Sequence, residues 1–97
     1  MKIIWSPLSI ERITEIAQYI ANDNPTAADN WIKEIFLSVE QLETFPKSGK
    51  VVTEVKNDAV RELIYWNYRI IYLIESEQIS ILTVRNVRQI LPESDLK

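Results

Sequence analysis

Apolar residues recur at spacings of three and four along the first half of this chain, and at a spacing near two along the second. Ile10, Ile13, Ile16, Ala17 and Ile20 line one face of a helix that ends near Asn22. Before it, Ser6-Pro7 supplies a hydroxyl N-cap and a proline at the first helical position, where its missing N–H costs nothing. Asn24-Pro25 repeats that device after a tight turn. The second helix carries Ala28, Trp31, Ile32, Ile35, Phe36, Val39 and Leu42 on one stripe, and Pro46 to Gly49 stops it. Two amphipathic helices joined so closely predict an antiparallel hairpin.

In the second half, β-branched and aromatic residues take over. Lys2 to Trp5 is a short strand candidate at the start of the chain; Val51 to Val55, Val60 to Trp66, Tyr68 to Glu75 and Gln78 to Val87 follow later. The breaks at Asn67 and Ser76 are short enough to make the late strands an antiparallel meander. The predicted class is α+β: an N-terminal strand, an antiparallel helical hairpin, then a three- to four-stranded antiparallel meander, with residues 1–97 as one domain. Within Tyr68 to Glu75, Tyr68, Ile70, Tyr72 and Ile74 share one face, while Arg69, Ile71, Leu73 and Glu75 share the other. Both faces are largely apolar. The hairpin can cover only one, so the face with Ile71 and Leu73 is expected to lie open and to receive a partner.

Composition narrows the chemistry. The chain has 97 residues with one Gly and four Pro, and is 46% hydrophobic and 26% charged, as in ordinary globular proteins. It contains no Cys and no His, so disulfides, thiolate zinc sites and the usual neutral-pH proton shuttle are excluded. No metal and no cofactor are expected, since there is no metal-ligand spacing and no glycine-rich phosphate loop around the sole glycine, Gly49. The longest apolar run, Ile70 to Ile74, is too short to span a bilayer and no signal-peptide order precedes it, so a cytoplasmic protein with no membrane contact is expected. Net charge is −3, split between −4 over residues 1–46 and +1 over residues 47–97. An anionic partner would be met through the second half.

Four arginines fall on or beside the late strands: Arg61, Arg69, Arg85 and Arg88. Their donor forks suit carboxylates and phosphates. Strand alternation sets Arg85 on the opposite face from Asn86 and Arg88, so the four do not converge on one spot. Arg61, next to Glu62, reads as a surface ion pair. Arg69 sits inside an apolar strand, where an unpaired charge would be costly, and is the stronger functional candidate. Tyr65, Trp66, Tyr68 and Tyr72 suit a core or a protein interface better than base stacking.

Several strings in fixed order carry a family likeness: Trp5-Ser6-Pro7; Tyr19-Ile20-Ala21; Asn24-Pro25 with Ala27-Ala28; Phe45-Pro46 with Gly49; Arg61-Glu62-Leu63; Tyr68-Arg69-Ile70-Ile71-Tyr72; and Ile81-Leu82-Thr83-Val84. Over about residues 3 to 88 the chain resembles the RelE/ParE family of bacterial toxins, and its long hairpin with Asn24-Pro25 is more similar to ParE. The resemblance implies the toxin of a type II toxin–antitoxin pair, bound in a hetero-oligomer by a cognate antitoxin whose segment wraps its grooves. An acidic-leaning antitoxin segment is expected on Ile71 and Leu73.

The resemblance also implies two modes of action. ParE-like members bind DNA gyrase and block religation; RelE-like members are endoribonucleases that cut mRNA on the ribosome. Many relatives close the last strand with His and then Arg, whereas this chain has Asn86-Val87-Arg88, and Asn cannot shuttle a proton. The RelE route would rest on Arg61, Arg69 and Arg88 with Lys47, Lys50 and Lys56 nearby in sequence; the ParE route would use Arg69, Asn86 and Arg88 as contacts to the target. The expectation is a gyrase poison, with the ribonuclease as the alternative and an interaction module that has lost toxicity as a third reading.

Overall fold

The computed structural model describes residues 1–89 and 91–96. Its elements are β1 (Lys2–Trp5), α1 (Pro7–Asp23), α2 (Pro25–Glu40), a short 3-10 turn (Gln41–Glu43), β2 (Lys50–Val51), β3 (Val60–Tyr65), β4 (Tyr68–Ile74), β5 (Gln78–Asn86) and a second 3-10 turn (Glu93–Leu96). Both helix starts follow from their caps. Ser6 Oγ accepts from the Ser9 N–H at 3.0 Å, and Asn24 Oδ1 accepts from the Ala27 N–H at 3.1 Å, each followed by its proline. Ser6 Oγ also donates to the Leu82 carbonyl at 3.0 Å, which ties the start of α1 to β5.

The sheet has five strands in the order β1-β5-β4-β3-β2. β2 to β5 form the expected antiparallel meander, and β1 adds a parallel edge strand on β5 with Lys2 opposite Gln78 and Trp5 opposite Ile81. In place of the strand expected over Val51 to Val55, only Lys50–Val51 is paired. Val52 still donates to the Val60 carbonyl at 3.1 Å, but Val55 then bonds back to the Val52 carbonyl and the chain turns away.

The hairpin packs on one sheet face. Ile13, Ala17, Trp31, Ile35, Val39 and Leu42 meet Ile70, Tyr72, Ile79, Ile81 and Val84 in the main core. Ile79, Ile81 and Val84 break the alternation of period two because Ile71 pairs with Thr83 but Tyr72 pairs with Ile81, leaving Leu82 as the extra residue of a β-bulge. The expected helix stripe overreaches at its start, where Ile10 is exposed. Tyr72 is fully buried, donates to the Pro46 carbonyl at 2.8 Å and accepts from the Gly49 N–H at 3.0 Å. A side chain at Gly49 would sit 2.5 Å from that hydroxyl and from the Glu62 carbonyl, so the position requires glycine.

The opposite face is not open, contrary to the expectation from sequence. Val52, Val60, Ile71 and Leu91 form a second buried cluster, with Val55, Leu73, Leu82 and Leu96 packed on it. The loop after β2 and the C-terminal segment supply this cover. Covering this face takes no further layer of helix or sheet; two short irregular segments achieve it with a few apolar side chains. Ile71 is fully buried and Leu73 half-buried, so the surface expected to receive an antitoxin is occupied by the chain itself.

Candidate functional site

The second face also holds the charged groups. Arg69 on β4 and Arg85 on β5 are cross-strand partners, and each is clamped by carboxylates from other segments. Arg69 donates through Nη1 and Nη2 to Glu54 at 2.7 and 3.0 Å, a two-pronged pairing, and through Nε to Glu62 Oε2 at 2.8 Å. Glu62 is itself buried and has Lys50 Nζ 3.6 Å away. The charge that sequence marked as costly is therefore matched. Hydrogen bonding from Arg69 outweighs partial burial and lowers the Glu54 carboxyl to about 2.

Arg85 Nε donates to Asp95 Oδ2 at 2.8 Å, and Thr83 Oγ1 donates to the same oxygen at 2.9 Å. Arg12 Nη2, from α1, donates to Asp95 Oδ1 at 3.3 Å. Asp95 is 2% exposed. Burial pushes its pKa up, yet the donors from Arg85, Arg12 and Thr83 together hold it below the ordinary carboxylate value. Asp95 thus pins the C-terminal segment to the sheet and to α1.

The candidates from sequence are spread out. Arg61 lies opposite Tyr72 on the helical side of the sheet, away from Arg69, and donates to the Asp58 and Gly49 carbonyls at 3.1 and 3.0 Å. It braces a loop and forms no ion pair with Glu62 among the described residues. Asn86 faces Tyr68 across the strands, and its Oδ1 accepts from the Arg88 N–H at 2.9 Å. Arg88 is exposed, beyond the end of β5. Arg69 belongs to one face, while Asn86 belongs to the α1 end of the other, where it lines a cleft with Glu15, Ile16 and Tyr19. Among the described residues, no group of three or more His, Cys, Asp or Glu could hold a metal ion, and no helix is long and apolar enough to cross a membrane.

Sequence reasoning missed Glu54, Asp95 and Arg12, because their partners lie 15, 10 and 83 residues away along the chain. One signal was available. An acid next to leucine in an otherwise polar tail, as in Asp95-Leu96, matches a segment that docks on a surface both basic and apolar.

The profile of the ParE toxin of type II toxin–antitoxin system, parDE, matches residues 3–91. The chain belongs to the ParE toxin family. It is similar to a protein named "Putative toxin Y4kP" from Sinorhizobium fredii (strain NBRC 101917 / NGR234), with 33% identity over 94 residues, covering 95% of this chain and 94% of that protein. Its fold matches a solved structure titled "Chromosomal ParDE TA system from P. aeruginosa" with a TM-score of 0.72 at 19% identity, covering 89% of this chain and 95% of that one. The likeness to ParE rather than to the wider superfamily, read from the hairpin strings, agrees with the family match. For a ParE-family toxin, the arrangement pairs Arg12, Arg69 and Arg85 with carboxylates and leaves Arg88 exposed at the surface.

Proposed function

We propose that this ParE-family chain arrests growth in the cytoplasm by binding DNA gyrase and preventing religation, and that a cognate antitoxin holds it inactive in a hetero-oligomer. The observation that supports a binding role over strand cleavage is the dispersal of the arginines. Arg69 and Arg85 already serve carboxylates, and Arg61 faces the other side of the sheet. Phosphoryl chemistry needs a base, an acid and charge stabilisers that converge on one phosphate. Arg88, with its backbone fixed by Asn86, is the contact proposed for the target.

Induced expression tests the reading in cells. Growth arrest with DNA breaks covalently attached to gyrase supports it; arrest with cut messages and intact chromosomes transfers the assignment to the ribonuclease alternative. Arg88→Ala is expected to weaken killing while leaving the thermal unfolding of the purified protein unchanged.

A further inference from the structure

The turn between β3 and β4 carries a side chain that its own backbone disfavours. Trp66 and Asn67 join the strands beyond the Tyr65–Tyr68 pair, and among the described non-glycine residues Trp66 alone has a positive φ, of 53°. A two-residue hairpin with positive φ at its first position calls for glycine there, because a Cβ crowds the backbone. Asn67, the neighbouring residue, is of a type that tolerates left-handed backbone, yet Trp66 is the one that adopts it. Trp66 is also 83% exposed. Trp5 packs on Phe36 and Trp31 on Tyr68, whereas Trp66 forms no aromatic pair among the described residues. Burial in this chain explains neither its size nor its conformation.

The turn is pinned in place. The Val87 N–H donates to the Asn67 carbonyl at 2.8 Å, which ties the turn to the chain leaving β5 and sets it beside the segment that bears Arg88. Val87 is 42% exposed, and Arg88 is exposed as well. One end of the molecule therefore presents an indole, an aliphatic side chain and a guanidinium on two segments bonded to each other. Backbone strain of this kind is concentrated at functional positions, where the surrounding structure holds it. Glu34 lines the cleft beside Trp66, and Glu15 lines the one beside Tyr68 and Asn86. These carboxylates oppose a phosphate backbone, so a protein surface is the better match. Tryptophan and arginine are the residue types that most often dominate binding between proteins.

We infer that Trp66 is the anchor by which this toxin grips its target, its indole entering an apolar pocket on gyrase beside the contact made by Arg88. The toxin supplies the side chain and the target supplies the pocket. The left-handed turn holds the indole clear of the fold before binding, so little conformational freedom is lost on docking. The strain is then a cost to folding that is kept for the sake of presentation. The inference rests on gyrase being the target, and it names the side chain that makes the main contact.

The test compares the unaltered chain with Trp66→Gly and Trp66→Phe, in gyrase supercoiling assays and in thermal melts. Trp66→Gly is expected to melt at or above the temperature of the unaltered chain, because glycine suits the turn, yet to need about thirtyfold more protein for half-inhibition. Trp66→Phe keeps an aromatic anchor and should retain part of the inhibition. If the unaltered chain blocks supercoiling and Trp66→Gly blocks it equally well, the anchor is overturned while gyrase stands as the target. If the unaltered chain leaves gyrase active, both fall together. A Trp66→Gly chain that melts well below the unaltered one would make the indole a structural group and overturn the inference. So would binding of the unaltered chain to a DNA duplex without gyrase that Trp66→Gly abolishes, since the indole would then serve as a wedge between bases.

Discussion

The two faces of the sheet are held by different forces. The helical face is a dry core in which Ile35, Leu42, Ile70, Ile79, Ile81 and Val84 are fully buried and the polar atoms of Tyr72 are satisfied by backbone. The opposite face has a small apolar cluster ringed by Glu54, Glu62, Arg69, Arg85 and Asp95. Area buried decides the stability of the first. For the second, a cover with few side chains relies on charge-assisted bonds to fix where it sits, since breaking one partner of such a buried pair is costly. The lesson is that residues which read as functional charges in the sequence are here the fasteners of a short cover.

This contrast can be broken in graded steps. Ile70→Ala on the helical face is expected to cost about 4 kcal/mol, as for a fully buried aliphatic that leaves a cavity, measured by urea unfolding. Asp95→Ala should cost about 2 kcal/mol, less than a fully sealed pair because Arg12 and Arg85 keep some solvent contact. Its effect should also be local: hydrogen exchange should quicken in residues 91–96 and leave β4 unchanged. If Asp95→Ala unfolds the whole chain as readily as Ile70→Ala, the two faces are one cooperative unit and the contrast is lost. Tyr72→Phe should cost about 1 kcal/mol by leaving the Gly49 N–H and Pro46 carbonyl unpaired.

The smallest expected effect is with pH. Glu54 and Asp95 are held below their ordinary values in the folded chain, so each binds a proton more weakly folded than unfolded. Their contribution is full above the unfolded pKa and is lost as pH falls; for Glu54 the loss runs from about 4.5 down to about 2. The melting temperature should fall over that window, and Glu54→Gln should flatten the slope. An unchanged slope would detach Glu54 from the clamp.

Much of this fold was legible in the sequence because its signals are local. Ser6-Pro7 and Asn24-Pro25 mark the two helix starts, and the β-branched runs mark β3 to β5 to within one residue at each end. The parallel seat of β1 on β5, the bulge at Leu82 and the buried second face were not legible, because each depends on a register or a contact between residues far apart. Arg69 was rightly singled out as a charge that needs an answer. That the answer comes from Glu54 and Glu62 inside the same chain could be seen only in three dimensions.

The most direct measurement is a supercoiling assay with purified gyrase, relaxed plasmid, ATP and increasing amounts of this protein. Supercoiling is expected to be blocked, with linear DNA bound to gyrase accumulating. Full supercoiling at every concentration, together with cleaved mRNA when the same protein is added to translating ribosomes, would contradict this expectation.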